Sequence, residues 1–145
     1  MKRYIYKQLL AWKNEKEHKP LILNGARQVG KTYILREFGR NEYKRMAFFS
    51  LDRDQKALEI FNKGGRATDM LMALSAICHE DITPHDTLVV LDEIQNCPKA
   101  LEALKFFCEE TPEIDIVVAG SLLGLSIHSG VSYPVGKVEE LHLYP

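Results

Sequence analysis

The sequence predicts a three-layer α/β fold in which a parallel sheet lies between two layers of helices. Three observations carry that expectation. Short apolar runs rich in β-branched and aromatic residues recur at residues 21–23, 46–51, 87–91 and 114–119. Strands with no polar side to their pleat belong to sheets covered on both faces. Segments with apolar residues at helical spacing lie between these runs, and such alternation produces parallel pairing through helical crossovers. Two of the runs end in polar or charged residues, at Asp92-Glu93 and Gly120-Ser121, where a parallel sheet presents functional groups at its carboxyl edge.

The elements follow in order. Tyr4, Ile5, Leu9, Leu10 and Trp12 form the apolar stripe of an N-terminal helix, which ends in the polar stretch 13–19 before Pro20 and packs on the core. The strand Leu21, Ile22, Leu23 leads through a glycine-containing loop into a helix with Ile34, Leu35 and Phe38 on one face, and Gly39 is placed to cap its end. The second strand, 46–51, delivers Asp52, which either faces the site or caps the following turn, the commoner use. Helices at 55–62 and 68–78 are separated by Gly64-Gly65, and Met70, Leu71, Leu74 and Ile77 form a core stripe. After the strand at 87–91, Pro98 opens a helix with Leu101, Leu104 and Cys108 on one face. The strand at 114–119 follows, and residues 136–143 supply a fifth.

The loop after the first strand carries the chemistry. Gly25, Ala26, Arg27, Gln28, Val29, Gly30, Lys31 and Thr32 fit the pattern G-x-x-x-x-G-K-[ST]. Its glycines let successive backbone N–H groups turn inward at the positive end of a helix, a concave nest suited to polyphosphate. Lys31 is placed to set a point charge against the β and γ phosphates, and the Thr32 hydroxyl to coordinate magnesium. The strand before and the helix after the loop are both legible, which outweighs a chance match. The chemistry therefore starts from a nucleoside triphosphate.

The run Thr87, Leu88, Val89, Val90, Leu91 ends in a second constellation, Asp92-Glu93. Asp92 is placed to hold the magnesium, commonly through water. Glu93 is placed to orient and deprotonate the water that attacks the γ phosphate. A strand end in solvent also often carries charge, but that reading leaves the phosphate loop without its metal partner. A small-molecule kinase shares the loop and usually lacks the second acid.

The segments Leu-Ile-Leu-Asn-Gly-Ala-Arg-Gln-Val-Gly-Lys-Thr, Leu-Asp-Glu-Ile-Gln-Asn-Cys-Pro, Ala-Gly-Ser-Leu-Leu-Gly and Tyr-Pro-Val-Gly-Lys-Val-Glu-Glu-Leu-His-Leu-Tyr-Pro make the chain resemble prokaryotic AAA-superfamily P-loop ATPases that carry a C-terminal domain of unknown function. The resemblance covers nearly the whole chain. It implies a P-loop NTPase αβα sandwich with strand order 5-1-4-3-2, nucleotide contacts at residues 25–32, and metal and water roles at Asp92 and Glu93. In such ATPases the strand between those of the two motifs ends in a residue that touches the γ phosphate, which implies a sensor role for Ser121. Gly-Ser after a strand is also an ordinary turn. The expected domain is 1–145, an N-terminal helix at 1–19 and a P-loop core at 20–145, with a further C-terminal domain beyond Pro145. ATP and magnesium are the expected ligands.

Composition narrows the class. A chain of 145 residues with 46% hydrophobic content supports one domain with its own core. Cys78, Cys97 and Cys108 lack C-x-x-C spacing, and the histidines His18, His79, His85, His128 and His142 are scattered, each expected at the surface or locally satisfied. No apolar run approaches the ~20 residues of a membrane span, and no signal-peptide core is present, so the expected location is cytoplasmic. Residues 1–45 carry a net +8 and residues 81–145 a net −8. The basic front could attract nucleic acid, but without an aromatic-and-basic surface the expected reading is a helix of solvated lysines. The seven arginines all lie at or before Arg66, so no arginine finger follows Asp92-Glu93, and Lys137 is the only cation after Lys105. Slow turnover is therefore expected, with Lys137 a partial substitute. The leading expectation is an ATPase. Its rivals are a nucleotide-gated interaction module, with a protein partner or an oligomer, and a nucleic-acid motor.

Overall fold

A computed structural model describes residues 2–25, 30–121 and 136–144. Five strands, β1 (Leu21–Asn24), β2 (Arg45–Ser50), β3 (Thr87–Asp92), β4 (Asp115–Gly120) and β5 (Glu139–His142), form one sheet in the order β2-β3-β4-β1-β5. Every pairing is parallel. Read from the other edge this is the expected order 5-1-4-3-2. Five helices connect or precede the strands: α1 (Lys2–Asn14), α2 (Lys31–Glu42), α3 (Gln55–Lys63), α4 (Ala67–Cys78) and α5 (Pro98–Glu110). A short 3-10 turn at Ile94–Asn96, which no periodicity announced, follows β3.

The period of two along each strand divides the core into two layers. Ile22, Phe49, Val89, Leu91, Ile116 and Val118 face α3, α4 and α5. Leu21, Leu23, Leu88, Val90, Val117 and Ala119 face the other way, against Ile5, Leu9 and Trp12 of α1 and Ile34, Leu35 and Phe38 of α2. Both faces are covered, which is why β3 and β4 are buried at every position. β5 sits at the edge beyond β1, alternates between partly buried and exposed residues, and occupies only part of the stretch 136–143. No described helix is long and apolar enough to cross a membrane.

Two local expectations are corrected. Gly39 does not end α2, which runs on to Glu42 and closes with the Tyr43 N–H donating to the Gly39 carbonyl at 3.2 Å. A side chain on Gly39 would run into Met46 Sδ, so its lack of one lets α2 close on the sheet. The cap of α3 is Asp54, whose Oδ1 accepts from the Ala57 N–H at 3.0 Å, and not Asp52. Asp54→Ala is expected to cost about 1 kcal/mol of stability, the ordinary worth of such a cap. Urea denaturation should show a lower midpoint for this variant, and a smaller change for Asp52→Ala.

His18 is locally satisfied, but in a buried network that joins the stretch after α1 to β4. Its Nε2 lies 2.6 Å from Asp115 Oδ1 and its Nδ1 lies 3.1 Å from the Glu15 carbonyl. Both neighbours are acceptors, an arrangement that favours the imidazolium, in which both ring nitrogens donate. Asp115 is 2% exposed, and its Oδ2 accepts from the Tyr43 hydroxyl at 2.6 Å. The Asp115 hydrogen bond holds His18 above the usual histidine value, burial opposes this, and Glu139 adds to the rise. A pKa raised on folding contributes stability that is whole below the unfolded value of about 6.5 and is lost as pH rises through the folded value. The melting temperature is expected to fall as pH rises through that window, and His18→Leu to remove most of the slope. An equal slope in the variant would assign it to other groups.

Candidate functional site

The sheet brings the ends of all five strands to one edge. Asn24 stands in register with Gly120 and His142, and Ser50 with Asp92. The loop after β1 is anchored there by the Gly25 N–H, which donates to the Gly120 carbonyl at 3.3 Å. Ala26, Arg27, Gln28 and Val29 lie outside the described residues. Gly30 has φ 91° and ψ 20°, a left-handed conformation for which glycine pays no steric penalty. The Ile34 N–H donates to its carbonyl at 3.0 Å, so α2 begins directly after it. Lys31 and Thr32 therefore occupy the first turn, where helix N–H groups and the helix dipole favour an anion.

Lys31 is 7% exposed, and its Nζ donates to the Gly25 carbonyl at 2.8 Å. Burial pushes the amine below the usual lysine value, while the Glu93 and Asp92 carboxylates oppose that shift. An incoming phosphate would supply further negative charge to the same ammonium.

Sheet periodicity decides where Asp92 meets its partners. Leu88 and Val90 face the α2 layer, so Asp92, two residues on, meets the start of α2. Thr32 Oγ1 donates to Asp92 Oδ2 at 2.6 Å across 60 residues of sequence. The Glu93 N–H donates to Asp92 Oδ1 at 2.9 Å. Two hard oxygen ligands brought together in this way fit magnesium, which keeps several waters and is completed by substrate phosphate oxygens. Among the described residues no group of three or more His, Cys, Asp or Glu side chains forms a metal site.

Glu93 leaves the strand with φ 57° and ψ 47°. A non-glycine residue in this left-handed region costs roughly 1–2 kcal/mol, and here it turns the chain from β3 into the 3-10 turn. The Glu93 Oε2 accepts from Gln95 Nε2 at 2.7 Å, and Gln95 Oε1 accepts from the Ser121 N–H at 3.3 Å. Gly30, Lys31, Thr32, Tyr33, Asp52, Glu93 and Asn96 line a cleft of about 590 Å³. The structure thus gathers Lys31, Thr32, Asp92 and Glu93, with Gly25 and Gly30 framing the loop. Ser121 adjoins the group through Gln95.

Asp52 lines this cleft and accepts from the Ser50 hydroxyl, so of its two expected roles the commoner one fails. Sequence reasoning gave no role to Gln95, Asn96 or Tyr33; the available signal was their position within three residues of one motif or the other. Lys137 does not serve the cleft within this chain. It precedes Glu139, which pairs with Leu21 at the amino end of β1, the opposite edge of the sheet, and its Nζ lies 3.1 Å from Glu109 Oε2. His128 lies outside the described residues.

The fold is that of a P-loop NTPase α/β domain. The chain belongs to the family described as "AAA domain", which matches residues 17–145. Among solved structures it is similar to Drosophila ORC bound to DNA, with 14% identity and a TM-score of 0.59 over 95% of this chain and 41% of that one. It is similar as well to the Aeropyrum pernix ORC1 protein in complex with DNA, with 16% identity and a TM-score of 0.61 over 99% of this chain and 43% of that one. Identities this low establish a shared fold, and this chain spans less than half the length of either structure. No curated protein sequence is a significant match.

Proposed function

We propose that this chain is an AAA-type core that binds ATP with magnesium and hydrolyses it to ADP and phosphate. One observation carries the reading: Thr32 and Asp92, 60 residues apart, meet at 2.6 Å, and Glu93 lines the cleft that opens beside Lys31. A phosphate loop alone would serve many reactions. A second acid facing the same cleft favours attack by water.

In this reading residues 25–32 hold the phosphates through backbone N–H groups, and Lys31 exchanges its bond to the Gly25 carbonyl for the β and γ phosphates. Thr32 and Asp92 would hold the magnesium, which supplies neutralisation of phosphate charge when bound. Glu93 orients a water in line with the γ phosphate and takes its proton. Ser121 approaches the γ phosphate from the end of β4. The resemblance to prokaryotic AAA ATPases extends the proposal to a companion C-terminal domain, and the free thiols of Cys78, Cys97 and Cys108 suit a cytoplasmic setting.

Multiple-turnover phosphate release, measured beside nucleotide affinity, tests the reading. Tight binding without turnover would make the chain a nucleotide-gated interaction module instead. The net +8 of residues 1–45 favours one further reading, an ATPase coupled to DNA, as the two structures named above are DNA complexes. Stimulation of phosphate release by duplex DNA that weakens steeply with salt would support it, and indifference to DNA would remove it.

A further inference from the structure

The Gln95 side chain spans two parts of the cleft edge, the turn after β3 and the residue that follows β4. One end of its amide donates to Glu93 Oε2 at 2.7 Å, and the other accepts from the Ser121 N–H at 3.3 Å. The chemistry of these partners leaves a single orientation. Turning the amide over would set its NH2 against a backbone donor and its oxygen against a carboxylate. Gly120 makes room for the arrangement: a side chain there would run into Gln95 Oε1, and would also lie 2.8 Å from Ile94 Cγ2 and 3.2 Å from the Ile94 backbone nitrogen. The left-handed turn at Glu93 brings Gln95 back across the end of β4. Three features at three sequence positions therefore serve one contact.

We propose that Gln95 is a positioning residue that ties the Glu93 carboxylate to the end of β4, so that Glu93 and the Ser121 segment move as one unit. The inference rests on the reading of Glu93 as the base. A hydrogen bond to a carboxylate is about twice as strong as a neutral one, so Glu93 Oε2 stays on Gln95 and Oε1 is left to meet the water. Any displacement of Ser121 by a γ phosphate reaches Glu93 through one amide. Nucleotide recognition at β4 and water activation at β3 are thereby linked.

Gln95→Leu keeps a side chain of comparable volume, one atom shorter, and removes both hydrogen bonds. In the full chain it is expected to lower kcat by ~10- to 100-fold, the scale of a misplaced reacting group, with KM for ATP and the melting temperature little changed. In a Glu93→Gln background the same substitution is expected to have almost no further effect, since there is no base left to position. Equal fold losses in the two backgrounds, or a loss confined to KM, would overturn the proposal. Undiminished turnover in Glu93→Gln alone would instead overturn Glu93 as the base, a failure of the hydrolytic reading that this design separates from the other. The physical link is checked without turnover by 1H–15N spectra of the free chain. Gln95→Leu should shift the Ser121 amide, and Glu93→Ala should shift the Gln95 side-chain NH2. A Ser121 amide that stays in place overturns the link.

Discussion

Lys31→Ala is expected to weaken ATP binding by ~100-fold or more in calorimetry, the upper range for hydrogen bonds to a charged group with the point charge lost as well. The ammonium is buried, in a cleft whose other charged lining residues, among the described ones, are the acids Asp52 and Glu93, with Asp92 just behind. Without Lys31 those carboxylates face the nucleotide phosphates with a diminished cationic counterweight. Lys31→Arg is expected to recover little, because a planar guanidinium does not fit where the slimmer ammonium reaches the Gly25 carbonyl at 2.8 Å. Unchanged affinity in Lys31→Ala would remove the phosphates from the start of α2 and with them the proposed site.

Glu93→Gln is expected to leave ATP affinity within a few-fold of the unaltered chain and to slow phosphate release by ~100-fold or more, the contribution of a positioned general base. The amide matches the carboxylate in shape and can still accept from Gln95 Nε2, so the turn after β3 has no reason to rearrange. What disappears is the capacity to take a proton from water. Binding and chemistry therefore part company in this variant, whereas Lys31→Ala removes both. Full turnover would move the base elsewhere, Asp52 being the other acid among the described residues that line the cleft.

The placement of Asp52 shows where sequence reading stops. From the sequence it is an acid after a strand, and both a cap and a cleft residue fit that description. The choice depends on Asp54, two residues later, reaching the Ala57 N–H first. Gly39 failed for a related reason. Its position at the end of an apolar stripe suits a helix stop, but α2 runs on to Glu42 and the end of the distant Met46 side chain lies where a Cβ would be, so the glycine marks a packing contact and not a chain reversal. The network of His18, Tyr43 and Asp115 was equally illegible, because an aspartate in an apolar strand gives no sign of the histidine 97 residues away that meets it.

The sequence alone determined what is local. The apolar runs marked four strands, helical spacing marked the five helices, and motif spacing set Lys31 and Thr32 at a helix start and Asp92 and Glu93 at a strand end, because such features follow from backbone periodicity and φ/ψ preference over a few residues. Strand order came from resemblance and not from pattern, since alternating strands and helices are compatible with several arrangements of a parallel sheet. Only the tertiary structure decided which face of β3 meets α2, and therefore that Asp92 receives the Thr32 hydroxyl while Gln95 joins Glu93 to Ser121. Those contacts are set by crossovers and by packing on both faces of the sheet, and neither leaves a mark on the few residues that finally touch.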